Sequence, residues 1–263
     1  MSTPTDKPSD YYNFQNPNIL VKLGKQPKFI HRLGQFDAIG IGKRPYASGT
    51  PSVGVLHVPV YEDSYLINGD DGAEVTARYL ANPPENDPST KYYQEYVQKY
   101  GREPRKVASV HATSDRDSFV LCLPADSICY GCGNQNTYKY SWEVEIAGTG
   151  NEDKEYWRSE DAQKKFVQTA KAVVKSFQLS FGDKWKETIP PLQKAVLAPN
   201  GEVVTPGWTQ HREIPYAAYT KEGRFIKWAQ YPENLNYGQH GDIHPEFPFD
   251  LFFAIVRAEI AKY

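Results

Sequence analysis

The pattern of apolar and polar positions along the chain predicts five strands. The segment "SVGVLHVPV" at 52–60 is apolar, rich in Val and bounded by turn residues, which is typical of a buried strand. Three further strands are predicted at 106–114, 118–124 and 140–148. The segment "EVVTPGWTQH" at 202–211 predicts a fifth strand, which leads into a stretch without clear periodicity.

The same pattern predicts one long helix at 159–181 and three shorter helical segments. Ser159 is placed to cap the long helix, acidic residues follow in its first turn, and its apolar stripe consists of Phe166, Ala170, Val173, Val174 and Phe177. Helical spacing recurs at 72–80 and 92–100, and an apolar helix is predicted at 248–263. This mixture predicts a single α/β domain, with a central mixed, mostly parallel sheet flanked by helices.

Residues 1–50 differ from the rest of the chain in composition. They are rich in Pro, Gly, Asn and Lys and show little periodicity, which predicts a loop-rich N-terminal extension. Residues 51–263 then form the folded domain, and 212–238 is expected to be irregular.

Charge and hydropathy exclude several classes of partner. The net charge of the 263 residues is formally -2, so we expect no nucleic acid partner and no membrane surface held by basic residues. The N-terminus has no basic flank followed by an apolar core, and the longest apolar run, "LFFAIV", is far too short for a membrane span. We therefore expect a protein that is made in the cytosol and does not insert stably into a membrane. Separately, we expect it to be a monomer.

The three cysteines are weak candidates for a disulfide framework or a zinc site. Cys122, Cys129 and Cys132 are too few, and odd in number, for a disulfide framework. The pair Cys129 and Cys132 forms a single C-x-x-C motif, which is a weak zinc signal without a second pair. A local disulfide or two packed thiols are the favoured interpretations.

Histidines are the strongest candidates for chemistry, since the chain has only six of them. A zinc site for hydrolysis needs three protein ligands and an open position for water. His57 ends one predicted strand and His211 ends another, and a rigidly held ligand is often found at such a position. A single histidine of this kind is more often structural, but several together favour a metal site.

A third candidate position lies in "GQHGDIHPEFPFD", which contains His240, Asp242 and His244. Gly241 and Pro245 argue against a helical H-x-x-x-H pair in this segment. In an extended segment the three side chains would face the same way, so spacing alone does not choose among them.

Five segments in this order resemble the zinc-dependent N-acetylmuramoyl-L-alanine amidases, the family that includes certain phage lysozymes and the peptidoglycan recognition proteins. They are "VGVLHVP", "ASVHATSDRDSFVLCLPADSICYGCGN", "YSWEVEIAG", "GWTQHREIP" and "HGDIHPEFPFDLFFAIV". The resemblance covers about residues 50 to 260 and is nearest to endolysins of actinobacterial phages. It implies that residues 51–263 are an amidase-like catalytic domain.

The resemblance implies a ligand set and two catalytic residues. His57, His211 in "QHREIP" and Asp242 match the family's zinc ligands, with His244 as the alternative to Asp242. Glu145 in "WEVE" matches the general base, and His240 matches the residue that stabilises the transition state. Without the resemblance, Glu145 would be interpreted as a solvated strand carboxylate with Glu143 beside it on the same face.

Substrate contacts are implied less clearly. The resemblance assigns them to His111, Tyr130 and Asn134, and His111 is equally well interpreted as structural. The family's "W-H-A-G" is "YGCG" here, so one expected histidine is missing. The insertion at 212–239 is longer than usual, and its aromatic residues are expected to form a groove wall: Tyr216, Tyr219, Phe225, Trp228 and Tyr231.

The function implied is that of a phage endolysin, which uses Zn²⁺ to hydrolyse the amide between N-acetylmuramic acid and L-alanine in bacterial peptidoglycan. Such an enzyme is expected to remain in the host cytoplasm until it is released to the cell wall, or to be carried on the virion. Two alternatives remain open: a peptidoglycan-binding protein without turnover, and a virion component in which the metal only holds the long loop.

Overall fold

The computed structural model describes residues 22–23, 49–59, 72–81, 88–101, 109–219, 225–229 and 243–263. Two predicted site residues, His240 and Asp242, lie outside these ranges. Most of the predicted extension at 1–50 lies outside them as well, and of its few described residues Lys22–Leu23 form a short edge strand.

The described strands are, in chain order, β1 (Lys22–Leu23), β2 (Val53–His57), β3 (Ala112–Ser114), β4 (Phe119–Leu121), β5 (Ser141–Ile146), β6 (Val196–Leu197), β7 (Val203–Thr205), β8 (Gly207–Gln210), β9 (Tyr216–Tyr219) and β10 (Phe225–Ala229). Six of them form one sheet, with the order β1-β4-β3-β5-β2-β8. The neighbours β3, β5, β2 and β8 run parallel, whereas β4 is antiparallel to both β3 and β1. The prediction of a mixed, mostly parallel sheet is confirmed.

The described helices are α1 (Gly72–Ala81), α2 (Lys91–Tyr100), α3 (Gln135–Tyr138), α4 (Glu160–Phe181), α5 (Trp185–Thr188) and α6 (Phe249–Ile260). All four helical segments predicted from the sequence are confirmed. Ser159 accepts a hydrogen bond from the Ala162 N–H and so caps α4, and the predicted stripe of α4 is fully buried. In the part of the chain that the structure describes, no helix combines the length and the apolar character needed to cross a membrane.

Two predictions at the C-terminal side of the domain are confirmed only in part. The segment 202–211 forms two strands, because Pro206 separates β7, which pairs with β6, from β8 in the main sheet. The segment 212–238 is not irregular throughout, since β9 and β10 pair as antiparallel strands within it. Two short aromatic-rich segments on either side of a Gly are a hairpin signal, which the sequence carried.

The main sheet has one largely apolar face and one face on which polar and apolar side chains are mixed. On the apolar face, Trp142 and Trp208 are fully buried, and the Trp208 ring packs on Phe252 of α6 at 5.4 Å between centroids. Ser114 on this face shares a hydrogen bond with Thr169 of α4. The opposite face is partly covered by α1, and it carries the side chains discussed next.

Candidate functional site

Two of the predicted metal ligands lie side by side at the carboxyl ends of neighbouring parallel strands. His57 is the last residue of β2, and His211 directly follows β8, which pairs with β2. The centroids of the two imidazole rings are 4.6 Å apart, and the ring planes are inclined by 47°. Because a histidine nitrogen binds zinc at about 2.0–2.1 Å, two rings at this separation can share one metal ion.

Glu145, the predicted general base, lies on β5 beside His57. The parallel register pairs His57 with Glu145 on one side, and Glu145 with Thr113 of β3 on the other. Residues paired in this way point to the same face of a sheet, and neighbouring strands are about 4.8 Å apart. Burial raises the pKa of the nearby Cys122 thiol, and the Glu145 carboxylate raises it further. The Glu145 side chain, which belongs to a half-buried residue but has a buried Oε2, therefore lies on the histidine face of the sheet.

Glu143, to which no role was assigned from the sequence, is in direct contact with His57. Its Oε2 lies 3.1 Å from His57 Nε2, and its Oε1 accepts a 2.5 Å hydrogen bond from Ser141 Oγ. Burial alone would raise the pKa of this fully buried carboxyl, but the hydrogen bonds from His57 and Ser141 bring the pKa below its ordinary value. An ionised carboxylate only accepts hydrogen bonds, so the proton in this contact belongs to His57 Nε2.

The C-x-x-C segment packs against the same carboxylate. Cys129 and Cys132 are buried free thiols, so of the two interpretations offered from the sequence, packed thiols are confirmed. Burial raises the pKa of both thiols, and the Glu143 carboxylate raises each pKa further. Gly131 lies between them, and a Cβ at this position would be 1.9 Å from Glu143 Oε2. The Glu143 carboxylate thus occupies the space that a side chain at residue 131 would need.

His111 lies in the interior of the domain, where both of its ring nitrogens bond to backbone groups. Its side chain is fully buried, and its Nδ1 accepts a 3.0 Å hydrogen bond from the Glu143 N–H. Since Nδ1 is an acceptor, Nε2 carries the proton and donates to the Ser127 carbonyl at 2.7 Å. Burial lowers the pKa of His111 to about 4, so the ring is neutral at neutral pH. Of the two interpretations offered from the sequence, the structure favours the structural one.

The other two predicted substrate contacts differ from each other. Asn134 is fully buried, caps α3 by accepting from the Asn136 N–H, and donates a 2.6 Å hydrogen bond to the Pro215 carbonyl. These bonds account for Asn134 as a residue that joins two loops, and a contact with substrate stays a prediction. Tyr130 is half-buried, with its ring centroid 4.6 Å from that of Tyr138. A substrate contact by Tyr130 stays a prediction.

The loop that follows the predicted third ligand is anchored beside His211. Ile243 is fully buried, and its carbonyl accepts a 3.2 Å hydrogen bond from Arg212 Nη1. The Gln210 amide, oriented with its nitrogen towards the loop, donates to the carbonyls of Ile243 at 2.8 Å and His244 at 3.1 Å. The two residues that flank His211 therefore hold the backbone of residues 243–244.

His244, the alternative ligand, uses one ring nitrogen within its own loop. Its Nδ1 accepts a 3.1 Å hydrogen bond from the Glu246 N–H, and the side chain is half-buried. Among the described residues, no group of three or more His, Cys, Asp or Glu side chains is arranged to hold a metal ion. Asp242 as a third ligand stays a prediction, since it lies outside the described ranges.

A separate cavity of about 360 Å³ lies at the other end of the sheet. It is bordered by Ser52 and Tyr140, which directly precede β2 and β5, and by Lys139 and Glu202. In open parallel sheets, ligands bind outside the carboxyl ends of the strands, where His57 and His211 lie. We therefore place the candidate site at the histidines rather than at this cavity.

Comparisons with known proteins are sparse. No protein-family model matches the chain, and no curated protein matches it. One of the solved structures that match is the hydrolase AmiA of Staphylococcus aureus, determined in complex with its ligand. The identity is 19% over 84% of this chain and 80% of that chain, with a TM-score of 0.40. A likeness of this degree does not establish a family or an activity for this chain.

Proposed function

We propose that this chain is a zinc-dependent peptidoglycan amidase that hydrolyses the amide between N-acetylmuramic acid and L-alanine. The observation that carries the proposal is the pair of imidazole rings of His57 and His211, 4.6 Å apart at the ends of adjacent parallel strands. Glu145, paired in register with His57, adds a carboxylate on the same face. Two histidines, a further ligand and a nearby carboxylate are the residue types that zinc hydrolases use.

The proposed metal site suits zinc chemically. Two imidazoles and one carboxylate are common zinc ligands in hydrolases, and such a set keeps a fourth position open. Zn²⁺ bound there would polarise the scissile carbonyl and lower the pKa of a water molecule to about 7. As the third ligand we favour Asp242 over His244, because Arg212 and Gln210 hold the following residue, Ile243, beside His211.

The remaining steps belong to side chains of this protein. Glu145 accepts the proton of the attacking water and delivers it to the leaving amine of L-alanine, a role typically worth about 10²–10⁴-fold in rate. His240 donates a hydrogen bond to the oxygen of the scissile carbonyl as negative charge develops on it. The assignment of His240 rests on the sequence alone, since this residue lies outside the described ranges.

The biological setting in this proposal follows from the sequence resemblance. The protein would act as a phage endolysin that reaches peptidoglycan after the host membrane has been opened. Tyr130 and the aromatic residues of 212–239 are the candidates for binding the muropeptide.

The proposal is tested with isolated cell walls. The zinc-loaded protein should reduce the turbidity of a wall suspension and release new amino groups that belong to L-alanine. Glu145→Ala should abolish both signals while the bound zinc per chain, measured by mass spectrometry of the metal, stays unchanged.

Glu202→Ala is the matched control, because Glu202 borders the cavity at the opposite end of the sheet. This variant should keep full activity. Full hydrolysis by Glu145→Ala would show that the assigned mechanism is wrong, and loss of activity in Glu202→Ala alone would move the site to the other cavity. Wall binding without amino-group release by the unaltered protein would identify a binding protein instead.

A further inference from the structure

Glu143 is the buried charged group that the proposed reaction does not use. It is on the same strand and the same face as Glu145. Unlike Glu145, it has no exposed surface, and its carboxylate contacts His57 Nε2. A buried carboxylate is costly unless several donors compensate it. The structure surrounds Glu143 with such donors, which argues for a specific role rather than for an accident of packing.

We infer that Glu143 is a positioning residue, which holds the His57 ring in the tautomer with the proton on Nε2 and so directs Nδ1 to the metal. This inference rests on the proposed zinc function. The contact of 3.1 Å between His57 Nε2 and Glu143 Oε2 is its central observation. A histidine that binds a metal through one nitrogen commonly donates its other N–H to a carboxylate, which fixes the ring and increases its basicity.

The carboxylate itself is held in place from three sides. Ser141 Oγ donates to Oε1 at 2.5 Å. The thiols of Cys129 and Cys132 lie beside it. On the remaining side, the backbone of Gly131 is so near that a Cβ would be 1.9 Å from Oε2. A carboxylate with so little freedom can fix the orientation of the ring that it binds.

This arrangement gives the "YGCG" segment a role. Gly131 does not have the positive φ that favours glycine, so its lack of a side chain is explained by space and not by backbone conformation. Gly133 in the same segment has a φ of 69°, which strains any other residue, but a Cβ there would have nothing within 4 Å. Gly133→Ala is therefore a control for backbone strain in this segment without a contact to Glu143. Gly131→Ala would therefore displace the carboxylate while the residues at positions 143 and 57 remain glutamate and histidine.

The inference is tested in the full-length protein by two measurements. The first is the tautomer of His57 in the metal-free protein, obtained from ¹⁵N shifts of the imidazole nitrogens. The second is the affinity for Zn²⁺, obtained by competition with a chromophoric chelator. The variants are Glu143→Leu, which removes the acceptor, Glu143→Gln, which keeps an oxygen but loses the charge, Gly131→Ala, and Gly133→Ala as the control.

Glu143→Leu and Gly131→Ala should shift His57 away from the Nε2-protonated form and weaken Zn²⁺ binding by about 10–100-fold. Glu143→Gln should lie between these variants and the unaltered protein, and Gly133→Ala should match the unaltered protein in both measurements. Should either Glu143 variant fail to fold, Gly131→Ala with its control still decides the question.

The experiment distinguishes failure of the inference from failure of the proposed function. If the unaltered protein binds Zn²⁺ but the tautomer and the affinity are the same in Gly131→Ala and Glu143→Gln, the inference is overturned and the proposed function stands. If the unaltered protein binds no Zn²⁺, the proposed function fails and with it the metal-directing role of Glu143, even where the tautomer depends on Glu143.

Discussion

Lowering the pH should destabilise this protein through His111, a residue outside the proposed chemistry. The neutral ring accepts a hydrogen bond from the Glu143 N–H and donates one to the Ser127 carbonyl, so a second ring proton would break the first bond. The ring is fully buried, which also disfavours its charged form. The unfolded chain has no such restriction and binds the proton readily.

The magnitude follows from the two pKa values. The pKa of His111 is about 4 in the folded protein and about 6.5 in the unfolded chain. Because the folded-state value is the lower one, the stabilising contribution of the neutral ring is complete above pH ~6.5 and is lost as the pH falls towards ~4. The shift of about 2.5 pH units corresponds to about 3 kcal/mol in total, of which about 2 kcal/mol is lost by pH ~5.

The assay compares the protein with His111→Gln, since glutamine can accept from Glu143 and donate to Ser127 but does not titrate in this range. Urea unfolding is followed at pH 7 and pH 5 with a chelator present, so that acid release of a metal does not contribute. The unfolding free energy of the unaltered protein, minus that of His111→Gln, should be about 2 kcal/mol lower at pH 5 than at pH 7. Parallel pH profiles, or a His111 pKa near 6.5 by NMR, would refute the reasoning.

Two further predictions concern the packing on either side of the sheet. Gly54→Ala should lower the unfolding free energy by about 1–3 kcal/mol, because the new Cβ would lie 2.2 Å from the Trp208 ring; an unchanged urea midpoint would contradict the packing described. The three cysteines should react slowly with a thiol reagent in the native protein and completely in denaturant, because all three are buried and have raised pKa values. A thiol that reacts at once in the native protein would show that the C-x-x-C segment is open to solvent.

Elements with strong periodicity could be predicted from the sequence. The long helix α4 was recognisable from its cap at Ser159 and its apolar stripe, because both signals are local. The strand that ends at His57 was recognisable from its run of apolar residues. The β9 and β10 pair was missed, because its aromatic residues were interpreted as a groove wall rather than as the hairpin signal that they carry.

The contact between His57 and Glu143 could not be predicted in the same way. Alternation along β5 places Glu143 and Glu145 on one face, but it does not say which of them reaches the histidine. Register would suggest Glu145, since its Cα is the partner of His57. The shape of the 129–132 segment decides the matter, because it encloses Glu143 and gives its carboxylate the donors that burial requires.

His111 connects this enclosure to the sheet. Its backbone N–H donates to the Glu143 carbonyl at 2.9 Å, and its ring accepts a hydrogen bond from the Glu143 N–H. The ring thus supplies an acceptor that would be a backbone carbonyl if β3 began earlier. Through Nε2 the same ring holds the Ser127 carbonyl, shortly before the segment that encloses Glu143. Because Glu143 in turn binds His57, loss of the neutral His111 ring should loosen both the sheet and the support of the proposed zinc ligand. His111→Gln should therefore bind Zn²⁺ with nearly the affinity of the unaltered protein, because glutamine can make both hydrogen bonds and so keep Glu143 in place.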